Sequence, residues 1–198
     1  MKPQASIISL RAVRAHKRKA ARDVAVLFAA SLASGDPESF DEALERLEYN
    51  PAGWSPALRA AARMKDIHPA SKAMMLAVWV DDGQAIRDSV DNDLLLCDAL
   101  HNILPPYQGA AQLLYRGEGA LARRRRIYGL SWTTDRGVAE SFARNNGGVV
   151  LETFASPEAI ICVSQLFIDN LRHNIEVEYL VDRRRLGAVN VLRRDLRQ

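Results

Sequence analysis

The spacing of apolar residues changes near residue 110. That change restricts the chain to a fold in which helices come first and short strands follow. Upstream, Asp36-Pro37 is a cap followed by a first-turn proline, and Phe40, Ala43, Leu44 and Leu47 then recur at helical spacing. Ser55-Pro56 predicts a second helix carrying Leu58, Ala61, Ala62 and Met64. A third is expected over 71–80. A fourth is expected from about Asp81 or Gly83 to Leu104, bent around Asp91-Asn92 and stopped by Pro105-Pro106. Ahead of them, basic residues from Arg11 to Arg22 precede the apolar stretch 24–30. Asp23 and the length of the basic region argue for an amphipathic helix with a basic outer face rather than a cleaved secretion signal.

Downstream, strands are expected over 112–116, 129–133, 148–154, 159–163, 175–181 and 188–192, with turn residues between them. One helix interrupts the series: Asp135 caps it, Val138, Ala139 and Phe142 form its inner face, and Asn145-Asn146-Gly147 ends it. A shorter helix is expected over 164–171. The fold class is α+β, a helical N-terminal lobe over 1–110 packed on a β-rich core over 111–198, the whole forming one compact domain.

A chain of 198 residues, 48% hydrophobic and 26% charged, has the balance of a soluble globular protein. At this size about 70% of the unfolded surface can be buried, so disulfides are not needed. Its two cysteines, Cys97 and Cys162, sit in apolar runs and read as small buried thiols, a usage that suits a reducing, cytoplasmic setting. No apolar run approaches the ~18 residues of a membrane span, so no membrane role is expected. The net charge is +3, but the basic residues cluster at Arg14 to Arg22, at Arg123-Arg124-Arg125-Arg126, and at Arg183-Arg184-Arg185 with Arg193, Arg194 and Arg197. Such clusters are either solvated faces or phosphate attractors. His68 and His101 read as helix-end residues, and His173 stands before the last acidic strand. No His, Cys or Asp grouping has metal-ligand spacing, so no metal is expected. No GxxxxGK[ST] or GxGxxG occurs, which excludes those two modes of holding a nucleotide.

Three segments carry chemistry. In 175–181, strand alternation sends Ile175, Val177, Tyr179 and Val181 to one face and Glu176 and Glu178 to the other, about 7 Å apart. Such a pair can stabilise a cationic centre and handle a proton, or simply form a solvated acidic face. Leu113-Leu114-Tyr115-Arg116-Gly117 ends an apolar strand in an arginine, whose rigid donor fork can hold phosphates or make a strand-end salt bridge. The glycine after it allows close backbone approach to a ligand. Gly129-Leu130-Ser131-Trp132-Thr133 alternates hydroxyls along a strand, and its serine can fix the rotamer of a carboxylate.

In this order, Tyr115-Arg116-Gly117, Ser131-Trp132-Thr133 and Glu176-Val177-Glu178 resemble the signature of the arginine–serine–glutamate class of mono-ADP-ribosyltransferases, found among toxins, phage effectors and vertebrate arginine-specific transferases. The resemblance covers 112–193. It implies the ADP-ribosyltransferase fold, with two small mixed or antiparallel sheets, and it implies NAD as substrate without a metal. By it, Glu178 is catalytic, Ser131 orients Glu178, and Glu176 favours an arginine acceptor on a protein. Arg116, Gly117, Tyr115, Ser131, Thr133 and Phe142 are assigned to NAD, with Gly117 binding the carboxamide through its backbone and Phe142 packing on nicotinamide. A nucleic-acid target guided by the arginine clusters is the alternative, as is a non-catalytic binding module with the same fold. Toxin-like members also imply an antitoxin or immunity partner. The middle position of the serine motif, small in most of the class, is here Trp132.

Overall fold

A computed structural model describes residues 10–145, 148–164 and 177–192. The chain divides into two compact units, Met1–Ile103 and Leu104–Gln198, so the boundary falls a few residues before the expected one. The architecture is α+β, with five helices in the described part of the first unit and two small antiparallel sheets in the second.

In the first unit, α1 spans Leu10–Ser34, α2 Pro37–Tyr49, α3 Trp54–Ala61, α4 Pro69–Val90 and α5 Asp93–Ile103. The basic stretch of α1 is exposed, and Ala21, Val24, Ala25, Phe28 and Leu32 then recur at helical spacing and are buried. Phe28 meets Phe40 at 6.2 Å and the edge of Trp54 at 5.8 Å, which joins α1, α2 and α3. Asp36 caps α2 by accepting from the Ser39 amide at 2.9 Å. Asn102 donates to the carbonyls of Ala61 and Met64 at 2.7 and 2.8 Å, closing the end of α3 from α5. His68 is the N-cap of α4 and His101 lies in the last turn of α5, both at helix ends.

The expected break near Asp81 does not occur. α4 runs through Asp81-Asp82-Gly83, and a side chain at Gly83 would strike the Trp79 ring, so this glycine serves packing rather than a helix start. The helix ends at Asp91, held in the left-handed region at φ 46° with its N–H bonded to the Arg87 carbonyl.

In the second unit, β1 (Gln112–Glu118), β3 (Val149–Ala155) and β6 (Val189–Leu192) form one sheet in the order β1-β3-β6. β2 (Ser131–Trp132), β5 (Tyr179–Val181) and β4 (Ile160–Val163) form the other in the order β2-β5-β4. Leu114 and Leu151 of the first sheet pack with Trp132, Ile160 and Val181 of the second, so a shared apolar layer sits between the sheets. Each expected strand has a counterpart, and β1 runs two residues further than expected. Ile175 and Glu176 lie outside the described residues, as do the expected helix beyond Ser164, His173 and Arg193, Arg194 and Arg197. Two α-helices accompany the strands among the described residues of the unit. α6 (Ala120–Arg125) was not expected from the sequence. α7 (Arg136–Asn145) is capped by Asp135, which accepts from the Gly137 amide at 2.7 Å.

The inner face of α7 differs from expectation. Ala139 and Ala143 are buried, whereas Phe142 is 53% exposed. Gly117 supplies the reason: a Cβ there would overlap the Ala139 carbonyl and the Ala143 amide, so helix and strand approach backbone to backbone and a bulky side chain is displaced to the flank.

Both cysteines are buried. Among the described residues no helix is long and apolar enough to cross a membrane.

Candidate active site

Among the described residues one isolated backbone bridge joins the two sheets. Tyr115 in β1 and Thr133 just past β2 exchange backbone hydrogen bonds of 2.7 and 2.9 Å, an isolated antiparallel bridge. The bridge brings the arginine strand alongside the serine strand. The register Ser131↔Leu180 and Trp132↔Tyr179 then brings the approach to β5, and with it Glu178, alongside the serine. Three segments separated by 15 and 47 residues thus converge on Arg116, Ser131 and Glu178.

The side chains are coupled. The Ser131 hydroxyl and the Arg116 guanidinium both favour the ionised form of the Glu178 carboxylate. Burial raises the Glu178 pKa above the ordinary carboxylate value, and the Ser131 hydroxyl and the Arg116 charge offset only part of that rise. The Glu178 backbone is pinned on both sides by Ser164: its N–H donates to Ser164 Oγ at 3.0 Å, and its carbonyl accepts from the Ser164 amide at 2.9 Å.

Arg116 is held from below. Its Nε donates to Glu118 Oε2 at 2.8 Å and its Nη1 donates to the Ser131 carbonyl at 2.5 Å. Glu118 is only 8% exposed and also accepts from the amides of Gly119 and Gly129, both at 3.0 Å. Burial alone would raise the Glu118 pKa, but the charge and hydrogen bond of Arg116, together with the two amides, outweigh it and leave the group below its ordinary value.

The remaining expected residues have definite places. Trp132 points the opposite way from Ser131, into the core, where its ring N–H donates to the Gly129 carbonyl at 3.2 Å and Tyr128 meets it edge-on at 6.4 Å. The large residue at the middle of the motif therefore fills the core and leaves the serine face clear. The Tyr115 side chain packs on the cluster of Ala139, Ala143 and Val150 under α7, so the site receives its backbone rather than its ring. Thr133 Oγ1 accepts from the Asp135 amide at 3.0 Å, which turns the chain toward α7. Phe142 lies beside Gly117 with its ring half in solvent, open to a planar ligand. The close neighbour that accounts for Gly117 is α7 itself. Glu176 falls outside the described residues.

Sequence reasoning missed Glu118, Gly129 as a neighbour of Arg116, and Ser164. The signal for Glu118 was present: a carboxylate two residues after Arg116 on one strand must share its face. Cys162 lies near Glu178, and burial pushes its thiol up to about 11, which keeps it protonated and inert near neutral pH. Among the described residues no group of three or more His, Cys, Asp or Glu is placed to hold a metal. Comparison of the chain with protein-family models, with curated proteins and with solved structures gave no match.

Proposed function

We propose that the chain is a mono-ADP-ribosyltransferase that takes NAD, releases nicotinamide and transfers ADP-ribose to a protein arginine, with Leu104–Gln198 as the catalytic unit in an ADP-ribosyltransferase fold. One observation supports the reading: strand pairing brings Arg116, Ser131 and the half-buried Glu178 together from three segments far apart in sequence. The N-glycosidic bond to nicotinamide breaks with its electron pair going to the ring nitrogen, and positive charge spreads over the ribose C1 and ring oxygen. An ionised carboxylate held in a water-poor site stabilises that charge. Ser131 keeps Glu178 in one rotamer and favours its ionised form. Arg116 supplies donors for the pyrophosphate or ribose side of NAD, and the exposed ring of Phe142 offers a face for nicotinamide. The acceptor guanidinium nitrogen then attacks C1 and loses a proton to a carboxylate, with Glu176, on the resemblance, orienting or deprotonating it.

A second reading, transfer to a nucleic acid, is favoured by Arg123-Arg124-Arg125-Arg126. All four are exposed at the end of α6, and among the described residues none forms a side-chain ion pair. Arg126 even adopts the left-handed region at φ 54°, where glycine or asparagine is the easier choice.

Incubating the protein with NAD labelled in its adenylate part and a cell extract tests both. Label on protein that hydroxylamine removes at the rate of an arginine linkage supports the first reading. Nuclease-sensitive label supports the second. Absence of both label and nicotinamide release refutes the enzyme.

A further inference from the structure

Arg116 is more heavily constrained than a residue that only binds a ligand needs to be. A guanidinium has five N–H donors. Here the one on Nε is committed to Glu118 and one on Nη1 to the Ser131 carbonyl. The Glu118 carboxylate is fixed in turn by the amides of Gly119 and Gly129, so both of its oxygens are engaged. Gly129 adds a steric constraint: a Cβ built there would fall on the Nη2 and Cζ atoms of Arg116. The chain thus spends a glycine at residue 129 to make room for this one guanidinium, and a nearly buried carboxylate to hold it.

We infer that Glu118 and Gly129 are positioning residues that lock the Arg116 guanidinium, Glu118 by a charged hydrogen bond along its side and Gly129 by the space its missing side chain leaves. The inference rests on the reading of Arg116 as a contact to NAD and deepens it. With the Nε side occupied, the donors left are those of Nη2 and the second hydrogen of Nη1. A diphosphate is then met by the end of the fork, in one orientation. Ordering the side chain before the ligand arrives removes an entropy cost from binding. Glu118 touches no substrate in this scheme and acts only through Arg116.

The test combines Glu118→Gln, Gly129→Ala and Arg116→Ala, singly and in pairs. Glu118→Gln should raise the KM for NAD about tenfold with kcat changed less than about threefold, the pattern of lost binding rather than lost chemistry. In the Arg116→Ala background the same substitution should change kcat/KM by less than about twofold, because the residue it acts through is gone. Gly129→Ala leaves the carboxylate in place. It should lower Tm and raise KM in the natural chain and do neither beside Arg116→Ala, where the added methyl has space. Additive losses in the double variants would overturn the lock. A third measurement needs no activity. In protein labelled with 15N-arginine, the Nε proton of Arg116, assigned by its disappearance in Arg116→Lys, should exchange slowly and should exchange at least about tenfold faster in Glu118→Gln. Equal exchange overturns the lock. Slow exchange in a protein that releases no nicotinamide would keep the lock and remove the enzyme reading.

Discussion

The two units differ in what they bury. Phe28, Phe40, Leu32, Leu47, Leu58, Met75, Leu76, Ile86, Leu96, Leu100 and Ile103 of the helical unit are large side chains with almost no exposure, and among the described residues of the sheet unit Trp132, Leu114, Leu151 and Leu180 match them. The polar side chains buried in the helical unit are two serines, Ser31 and Ser71, each donating to a nearby backbone carbonyl. The sheet unit buries one such hydroxyl, Thr153, and also two carboxylates, Glu118 and Asp182, both on arginines, with Arg184 gripping Asp182 at 2.7 Å. Burying a charge is costly unless its partners are fixed, so a region that does it twice within a small apolar layer is organised around something other than stability. The helical unit reads as a packing solution and the sheet unit as a site.

That contrast can be broken at four places, in falling order of effect. Glu178→Gln keeps the shape and removes the charge. Nicotinamide release should fall by about a thousandfold or more with the unfolding midpoint nearly unchanged, and retention of a tenth of the rate would remove Glu178 from the chemistry. Phe28→Ala should do the reverse: urea unfolding should show about 3–5 kcal/mol lost, with kcat per folded molecule unaltered. Ser131→Ala should slow the reaction about tenfold near neutral pH and move its acid limb to higher pH. The sign follows from the direction of the serine's effect: Ser131 lowers the Glu178 pKa, so its loss lets that already raised value rise further, and the ionised form disappears earlier as pH falls. A limb that stays put while the rate drops would mean the serine acts on something else. Smallest, Asp36→Ala should cost about 1 kcal/mol by removing the cap of α2, again read in urea and again without effect on turnover.

Much of this was legible in the sequence, and the failures share a cause. The order of helices and strands followed from periodicity, and Asp36 and Asp135 cap as their positions suggest, because these are local matters of backbone hydrogen bonding. Trp132 could be placed on the face opposite Ser131 by alternation alone. What failed required knowing a neighbour distant in sequence. Gly83 resembles a helix break until the Trp79 ring is seen against it. Phe142 fits an inner helical face until Gly117 draws Ala139 and Ala143 down onto the strand and leaves no depth for a ring. Glu118 resembles one more surface charge until the amide of Gly129, eleven residues later, closes on it. Arg123, Arg124 and Arg125 carry no apolar stripe, so nothing in their pattern announced the short helix they end.

The bridge between Tyr115 and Thr133 has a consequence for how the molecule could be monitored. Two amide protons form the seam along which the sheets are stitched, and the guanidinium and the carboxylate stand on opposite sides of it. Any hinge-like parting of the sheets would expose those two protons to deuterium while drawing the charges apart. Their exchange rate would therefore act as a gauge of whether Arg116 and Glu178 are held together, readable in the resting protein with no reagent but heavy water.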